Sequence, residues 1–468
     1  MLVLLQMRGG VNTNEVFYNF NPQKVTKLKV RIEKPGNYGL GFIDGDISED
    51  KPTVIDWGNG KTTKLTTPIT NSEQANSSTN YYVNYSKTGE YEISIDGWYN
   101  HFKCYEYYHV KPVATQICEV LTEIIQVSSL ITSFDETFYE CSSLRDIPHR
   151  LFDKNAKVTS FNGTFQYCEN LTSIPSGLFD NNTKVTSFYS TFYICPSLTN
   201  IPPGLFDKNI NVESFRQTFY GCSSLTSIPN GLFDKNAKVT SFNGTFQYCK
   251  NLTSIPSGLF DNNTSVTSFY GTFSSCSNLK SIPSGLFDKN AKVTSFGKTF
   301  SGCENLTSIP SGLFDKNAKV TRFNGTFQYC ENLTSIPSGL FDNNTDVTDF
   351  ECTFSDCSSL ASIPSGLFDK NTSVTGFNFA FANCRSLTSI PSGLFDKNTS
   401  VTDFSYVFYQ SSSLTGGTPY TLSSDGVTKI KLWNRDGTNG FVKPTSTSEA
   451  FSNCTKLTDY KDIPNDWK

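Results

Sequence analysis

Ten cysteines, Cys141, Cys168, Cys195, Cys222, Cys249, Cys276, Cys303, Cys330, Cys357 and Cys384, stand 27 residues apart without a slip. A fixed period between 20 and 50 residues is the signature of a solenoid or propeller, in which each unit buries its apolar face only against its neighbours. The whole unit keeps the step. One copy reads Val158-Thr-Ser-Phe161, then Thr164-Phe165-x-x-Cys168-x-x-Leu171, then Ile174-Pro175, then Gly177-Leu178-Phe179-Asp180. The box Phe-x-x-Cys-x-x-Leu-x-x-Ile-Pro recurs ten times between Phe138 and Pro391. A partial eleventh is Phe408-x-x-Ser411-x-x-Leu414, and a twelfth is Phe451-x-x-Cys454-x-x-Leu457. Gln166-Tyr167-Cys168 returns at Gln247 and Gln328, so the array grew by copying triplets of units. Such an array suits a binding or display surface, because an active site needs one unique constellation.

Within one unit, Phe161, Phe165, Cys168 and Leu171 fall at i, i+4, i+7 and i+10, the spacing of one helical face. Val158–Phe161 and Leu171–Ile174 are short and strand-compatible, and Pro175 ends the second run at a corner. Asp180-Asn-Asn is a turn signal. The pattern predicts an α/β repeat solenoid of about 11–12 coils. With about 4.8 Å per coil on strand sides and roughly 10 Å on helical sides, the rod would be on the order of 50–110 Å long. The expected core ladder is Phe165, Cys168, Leu171 and Ile174 in one coil, and Phe246, Cys249, Leu252 and Ile255 three coils on.

The motif Val239-Thr-Ser-Phe…Thr-Phe-x-x-Cys-x-x-Leu-Thr-Ser-Ile-Pro256 resembles the repeats of BspA-like leucine-rich-repeat surface proteins of anaerobic bacteria and some protists. The likeness covers about residues 130–410, and the tail Thr458-Asp-Tyr460…Ile463-Pro464…Trp467 looks like that family's terminal unit. The commoner family unit is shorter; here Gly-Leu-Phe-Asp-Lys-Asn fills the extra length. The resemblance implies secretion or surface attachment, adhesion to host proteins or other cells, and no enzyme.

Residues 12–110 lack the period. Lys27–Ile32 and Tyr91–Ile95 alternate polar and apolar, and Gly, Pro and Asn turns separate such runs, which reads as an all-β sandwich. Val54-Ile-Asp56-Trp57-Gly58-Asn59-Gly60, with Asn84-Tyr85-Ser-Lys-Thr-Gly89-Glu-Tyr91, is similar to PKD-type immunoglobulin-like modules. That likeness implies a spacer lifting the array off a surface. The expected organisation is therefore a leader or disordered segment at 1–11, the β-sandwich at 12–110, a junction and N-terminal cap at 111–130, the solenoid at 131–414, and an irregular segment with a capping repeat at 415–468. The start, MLVLLQMRGG, has a five-residue apolar patch, short of the roughly 7–15 of a secretory h-region, so no signal peptide is evident.

Composition narrows the chemistry. The net charge of −4, from 39 basic and 43 acidic residues, excludes a basic nucleic-acid footprint. No apolar run approaches the roughly 20 residues that span a bilayer, so no direct membrane insertion is expected. No Cys-x-x-Cys pair supports zinc, and one Asp per coil supplies few of the six to eight oxygens Ca²⁺ takes. No metal or cofactor is expected. The ladder cysteines, about 10 Å apart on a helical side, should be buried free thiols. Cys104, Cys118 and Cys352 lie off the ladder, and a Cys104–Cys118 bridge stays open. His101, His109 and His149 have no nucleophile motif beside them, so no catalytic residue is expected.

Variation between coils carries the functional signal. The pair after the second Phe reads Gln166-Tyr167, Tyr193-Ile194, Tyr220-Gly221, and the residue after the first Phe reads Asn162, Tyr189, Arg216. Tyr189, Tyr193, Arg216 and Tyr220 thus fall on adjacent coils, and Tyr and Arg are enriched at interface hot spots. They form the candidate partner-binding patch. The expected protein is a monomeric, non-enzymatic, secreted or cell-surface adhesion protein binding host extracellular proteins or other cell surfaces. Alternatives are a structural or receptor-contact protein of a phage or cell envelope, and a carbohydrate-binding module.

Overall fold

A computed structural model describes residues 22–68, 82–104, 115–423 and 427–468. The leader expected at 1–11, His109, and residues 111–114 of the expected junction lie outside the described residues.

The front of the chain is β-rich. It runs β1 (Val25–Ile32), β2 (Gly36–Gly39), β3 (Phe42–Gly45), β4 (Thr53–Asp56), β5 (Thr62–Leu65), β6 (Tyr82–Tyr85), β7 (Gly89–Asp96), β8 (Tyr99–Lys103), β9 (Thr115–Gln116), one helical turn α1 (Ile117–Val120) and β10 (Leu121–Gln126). Five strands form one sheet in the order β10-β1-β7-β4-β5; β6-β2-β9 and β3-β8 form two smaller sheets. The alternation in β1 buries Leu28, Val30 and Ile32. It turns Lys27, Lys29 and Arg31 toward Glu92 and Glu90 of the antiparallel neighbour β7. Trp57 is buried, and its carbonyl accepts a 2.7 Å hydrogen bond from the Tyr85 hydroxyl. The expected boundary at 110 is corrected: residues 121–126 belong to the first sheet as its outer strand, antiparallel to β1. Two register shifts along this pair bring Leu121 and Ile124, three residues apart, both to the buried face, so simple alternation does not reveal the strand.

The array keeps the solenoid and loses the α/β architecture. Among the described residues from 127 to 414, no helix and no extended strand forms. Each coil is a ring of tight turns tied to the next by a one-residue parallel bridge, as Ser160 to Ser187 and Ser187 to Ser214. The reason lies at two positions per coil. Gly163 and Tyr167 have φ of 60°, and the same two positions are left-handed in coil after coil. A left-handed residue ends a right-handed helical run, so successive turns, not a helix, bring Phe161, Phe165 and Cys168 inward. The N–H groups of Phe161, Gly163, Phe165 and Tyr167 then reach the carbonyls of Ser187, Tyr189, Thr191 and Tyr193 in the following coil at 3.1, 2.8, 2.9 and 2.8 Å.

Flat coils stack closely. Rings at Phe161 and Phe188 lie 5.8 Å apart, at Phe165 and Phe192 5.6 Å, and at Phe179 and Phe206 6.2 Å, all nearly parallel. These steps are well short of the roughly 10 Å separation of packed helices, so twelve coils span on the order of 60–70 Å, in the lower part of the expected range. Phe165, Cys168, Leu171, Ile174, Phe246, Cys249, Leu252 and Ile255 are all buried.

Three buried side chains per coil add donors across each interface. Thr164 Oγ1 donates to the Phe134 carbonyl at 2.9 Å, and Cys168 Sγ to the Phe138 carbonyl at 3.2 Å. Asn182 Nδ2 donates to two, those of Phe152 at 3.2 Å and Asn155 at 3.0 Å. The Asn ladder continues unbroken from Asn155 to Asn398.

Both ends are closed. At the front, Phe102 packs edge-on against Phe138 at 5.8 Å and the Cys104 N–H donates to the Thr137 carbonyl. One continuous core runs from Leu28 to Trp467. At the back, the chain leaves the eleventh coil through a hairpin, β11 (Tyr420–Leu422) and β12 (Lys429–Lys431), and returns at Ser446, which bridges to Asp403. Phe451 stacks on Phe408 at 5.6 Å, and its N–H is taken by the Trp467 carbonyl. The detour inserts buried Arg435, whose guanidinium donates to the carbonyls of Asn398 and Phe395 at 3.1 and 2.8 Å. Those are the two acceptors the next Asn of the ladder would have used.

Candidate interaction surface

The titratable groups weighed for chemistry do not converge. His101 is largely buried, with Nε2 2.9 Å from the Asp135 carbonyl, and burial lowers its pKa. His149 lies on an open polar trough beside Arg150, Asp153, Asp180 and Asp207. Among the described residues no group of three or more His, Cys, Asp or Glu converges on a metal position.

The Asp ladder is a turn device. From Asp180 to Asp369 each carboxylate folds back over its own left-handed glycine: a Cβ on Gly177 would sit 3.0 Å from Asp180 Oδ2. The stronger device is Asn182, two residues on, read from the sequence as part of a local turn signal and found to reach the preceding coil. Its signal was present, since Asn stands at this position in every unit from Asn155 to Asn398 while its neighbours vary.

The ladder thiols are buried, and desolvation raises their pKa values, Cys222 to about 12. The expected 10 Å separation of cysteines fails with the helix that implied it. Each thiol instead donates to a carbonyl of the preceding coil, from Cys168 to Cys384 at 3.1–3.3 Å. Ser411 makes the same bond, Oγ to the Phe381 carbonyl at 2.9 Å, which explains why Ser fits there. Cys104 and Cys118 are free and fully buried, and Cys352 is half-buried.

The four patch residues come together. Tyr193 and Tyr220 stack face to face with centroids 4.4 Å apart and planes within 11°. The Arg216 guanidinium lies over the Tyr189 ring at 5.7 Å, and Tyr189 is 41% exposed. Burial raises the Tyr193 hydroxyl, with Tyr167 adding to it; burial and the flanking Tyr193 and Tyr248 raise Tyr220 further. The cluster also extends past the four. Tyr139 meets Tyr167 at 5.4 Å, Tyr167 meets Tyr193 at 5.6 Å, and Tyr220 meets Tyr248 at 5.2 Å. Five tyrosines thus run unbroken across five consecutive coils. Tyr139, Tyr193 and Tyr220 directly follow a Phe, whereas Tyr167 and Tyr248 stand one residue later. The alternation hides the ladder in the sequence, and the turn brings both positions to one edge.

This edge is where the backbone is left-handed. The position after the Phe–x pair has φ of 60° at Tyr167, 52° at Ile194 and 61° at Tyr248, where Gly221 and Gly302 stand in other coils. A non-glycine residue there costs roughly 1–2 kcal/mol, and a β-branched one such as Ile194 is a genuine outlier. Left-handed non-glycine residues recur at this position along the array, from Glu140 to Gln410, so the conformation belongs to the repeat as a whole.

Residues 213–339 and 294–420 match a family model described as a Mycoplasma protein of unknown function, DUF285. No curated protein sequence matches the chain. Among solved structures, the chain is similar to a leucine rich cell surface protein from Faecalibacterium prausnitzii A2-165, at 22% identity and a TM-score of 0.33, over 67% of this chain and 82% of that one. It is also similar to a TDR receptor, at 13% identity and a TM-score of 0.38, over 66% of this chain and 48% of that one. Likenesses this distant carry no functional inference. No helix among the described residues is long and apolar enough to cross a membrane.

Proposed function

We propose that this chain is a non-enzymatic adhesion protein, secreted or held at a cell surface, and that its array binds host extracellular proteins or other cell surfaces. Tyr189, Tyr193, Arg216 and Tyr220 form the docking face, and the front domain, read as a PKD-like spacer, holds the array away from its anchor. The observation that carries this reading is the unbroken run of ring contacts from Tyr139 to Tyr248, in which Tyr193 and Tyr220 of the docking face take part. The resemblance of the repeat box to BspA-like surface proteins supports the location. A carbohydrate platform fits less well, because Tyr193 and Tyr220 cover each other's faces, and sugar stacking needs an open ring face.

The test is capture of host extracellular material by the wild-type chain and by a Tyr193→Ala/Arg216→Ala/Tyr220→Ala variant of matched thermal stability. Loss of specific partners from the variant is expected. Undiminished capture of every partner would refute the face.

A further inference from the structure

Resting on the docking face proposed above, we infer that the strip takes one kind of partner element: an amphipathic α-helix lying along the solenoid axis, carrying a carboxylate opposite Arg216. The argument is one of register. Ring centroids along Tyr139, Tyr167, Tyr193, Tyr220 and Tyr248 step by 5.4, 5.6, 4.4 and 5.2 Å. An α-helix rises about 5.4 Å per turn, so a helix along this axis presents one side-chain row per coil and stays in step over the whole strip. An extended segment repeats on one face every 6.6–6.8 Å or so, and drifts out of step within about three coils. The strip is about 20 Å long, the length of a helix of roughly 14 residues. It is one to two side chains wide, which suits the i, i+4, i+7 row of an amphipathic helix.

Charge supplies the second element. Arg216 is exposed, and its guanidinium lies over the Tyr189 ring. Among the described residues it takes part in no ion pair, and the ring holds its planar fork in place at the fourth coil. A guanidinium so placed is preorganised for a carboxylate. Tyr189, over which it lies, acts electrostatically on Tyr193, and the half-buried rings and hydroxyls of the strip offer both apolar and hydrogen-bonding contact. The partner helix therefore carries an apolar row facing the tyrosines, with Asp or Glu in its third or fourth turn.

Two displayed peptide libraries, panned against the full chain, test this. One randomises a single face of a 14-residue helical scaffold; the other consists of eight-residue Val/Thr-rich linear peptides. Enrichment of helical binders with an apolar row and an acidic residue is expected. Their affinity should fall at least tenfold on Arg216→Gln and on Tyr193→Ala/Tyr220→Ala, and should survive Tyr193→Phe. Arg216→Gln changes an exposed side chain only, so it remains informative if the double variant unfolds. Linear binders that lose affinity on the same variants would overturn the helix while leaving the docking face standing. Helical binders indifferent to Arg216→Gln would overturn the carboxylate. Failure of either library to yield a binder sensitive to these variants, together with undiminished capture of natural partners, would remove both readings.

Discussion

Two isosteric exchanges in one turn separate the roles of Asp261 and Asn263. Asn263 is fully buried, and its Nδ2 donates to the carbonyls of Phe233 and Asn236 at 3.1 and 2.9 Å. Asn263→Asp removes both amide donors. The new carboxyl must stay protonated to keep even one of the two bonds; each carbonyl also accepts a backbone N–H, from Asn236 at 3.1 Å and from Val239 at 3.2 Å, so the lost amide bond costs about 0.5–1.5 kcal/mol. Holding neutral at pH 7 a group whose unfolded pKa is about 3.9 adds about 4 kcal/mol. The total is about 5–6 kcal/mol at pH 7 and about 1–2 kcal/mol at pH 4. The sign follows from linkage: the folded-state pKa is raised, so the unfolded state releases the proton first, and the penalty grows as pH rises above about 4. Asp261 is exposed, so Asp261→Asn should cost no more than about 0.5 kcal/mol at either pH. Repeat arrays open locally, so native-state hydrogen exchange of the coils flanking Asn263, at both pH values, is the measurement. Equal costs for the two exchanges, or a cost for Asn263→Asp that ignores pH, would refute the assignment of the turn to the Asn ladder.

Other perturbations test the remaining contacts. Phe246→Ala, between Phe219 and Phe273 at 5.7 Å on either side, should cost about 3–5 kcal/mol by denaturant unfolding; a loss below about 1 kcal/mol would take that ring out of the core. Cys249→Ser should be tolerated within about 1 kcal/mol, because a hydroxyl can reach the Phe219 carbonyl as Ser411 reaches that of Phe381, whereas Cys249→Val should lose about 1–3 kcal/mol. Alkylation of the native chain at pH 8, read by mass spectrometry, should modify at most Cys352, slowly because burial pushes its thiol up to about 12; denaturation should release all 14 cysteines. Arg435→Leu removes two charged donors from the last two carbonyls of the Asn ladder, that of Phe395 keeping the Asn398 N–H, and should cost about 2–5 kcal/mol, seen as lost exchange protection in the final coils.

The period alone determined that this chain is a capped stack of like coils. Phe, Cys, Leu and Ile recur at one spacing, and no single unit can bury them, so stacking follows from the arithmetic. Which apolar residues point inward was equally readable, since burial depends on side-chain type and spacing. The path of the backbone between them was not. Apolar positions at i, i+4 and i+7 meet the needs of a helix and of two consecutive turns alike. The choice was made by φ at positions such as 163 and 167, where a glycine in some coils, such as Gly163, Gly221, Gly244 and Gly302, was the hint. That choice set the distance between coils, and with it the thiol-to-carbonyl bonds and the Asn ladder, because a donor can reach the preceding coil only when the coils lie flat. The tyrosine strip is tertiary in the same sense. Tyr193 and Tyr220 share a column in the sequence, but Tyr167 and Tyr248 do not, and they join only because one tight turn delivers neighbouring positions to the same solvent edge.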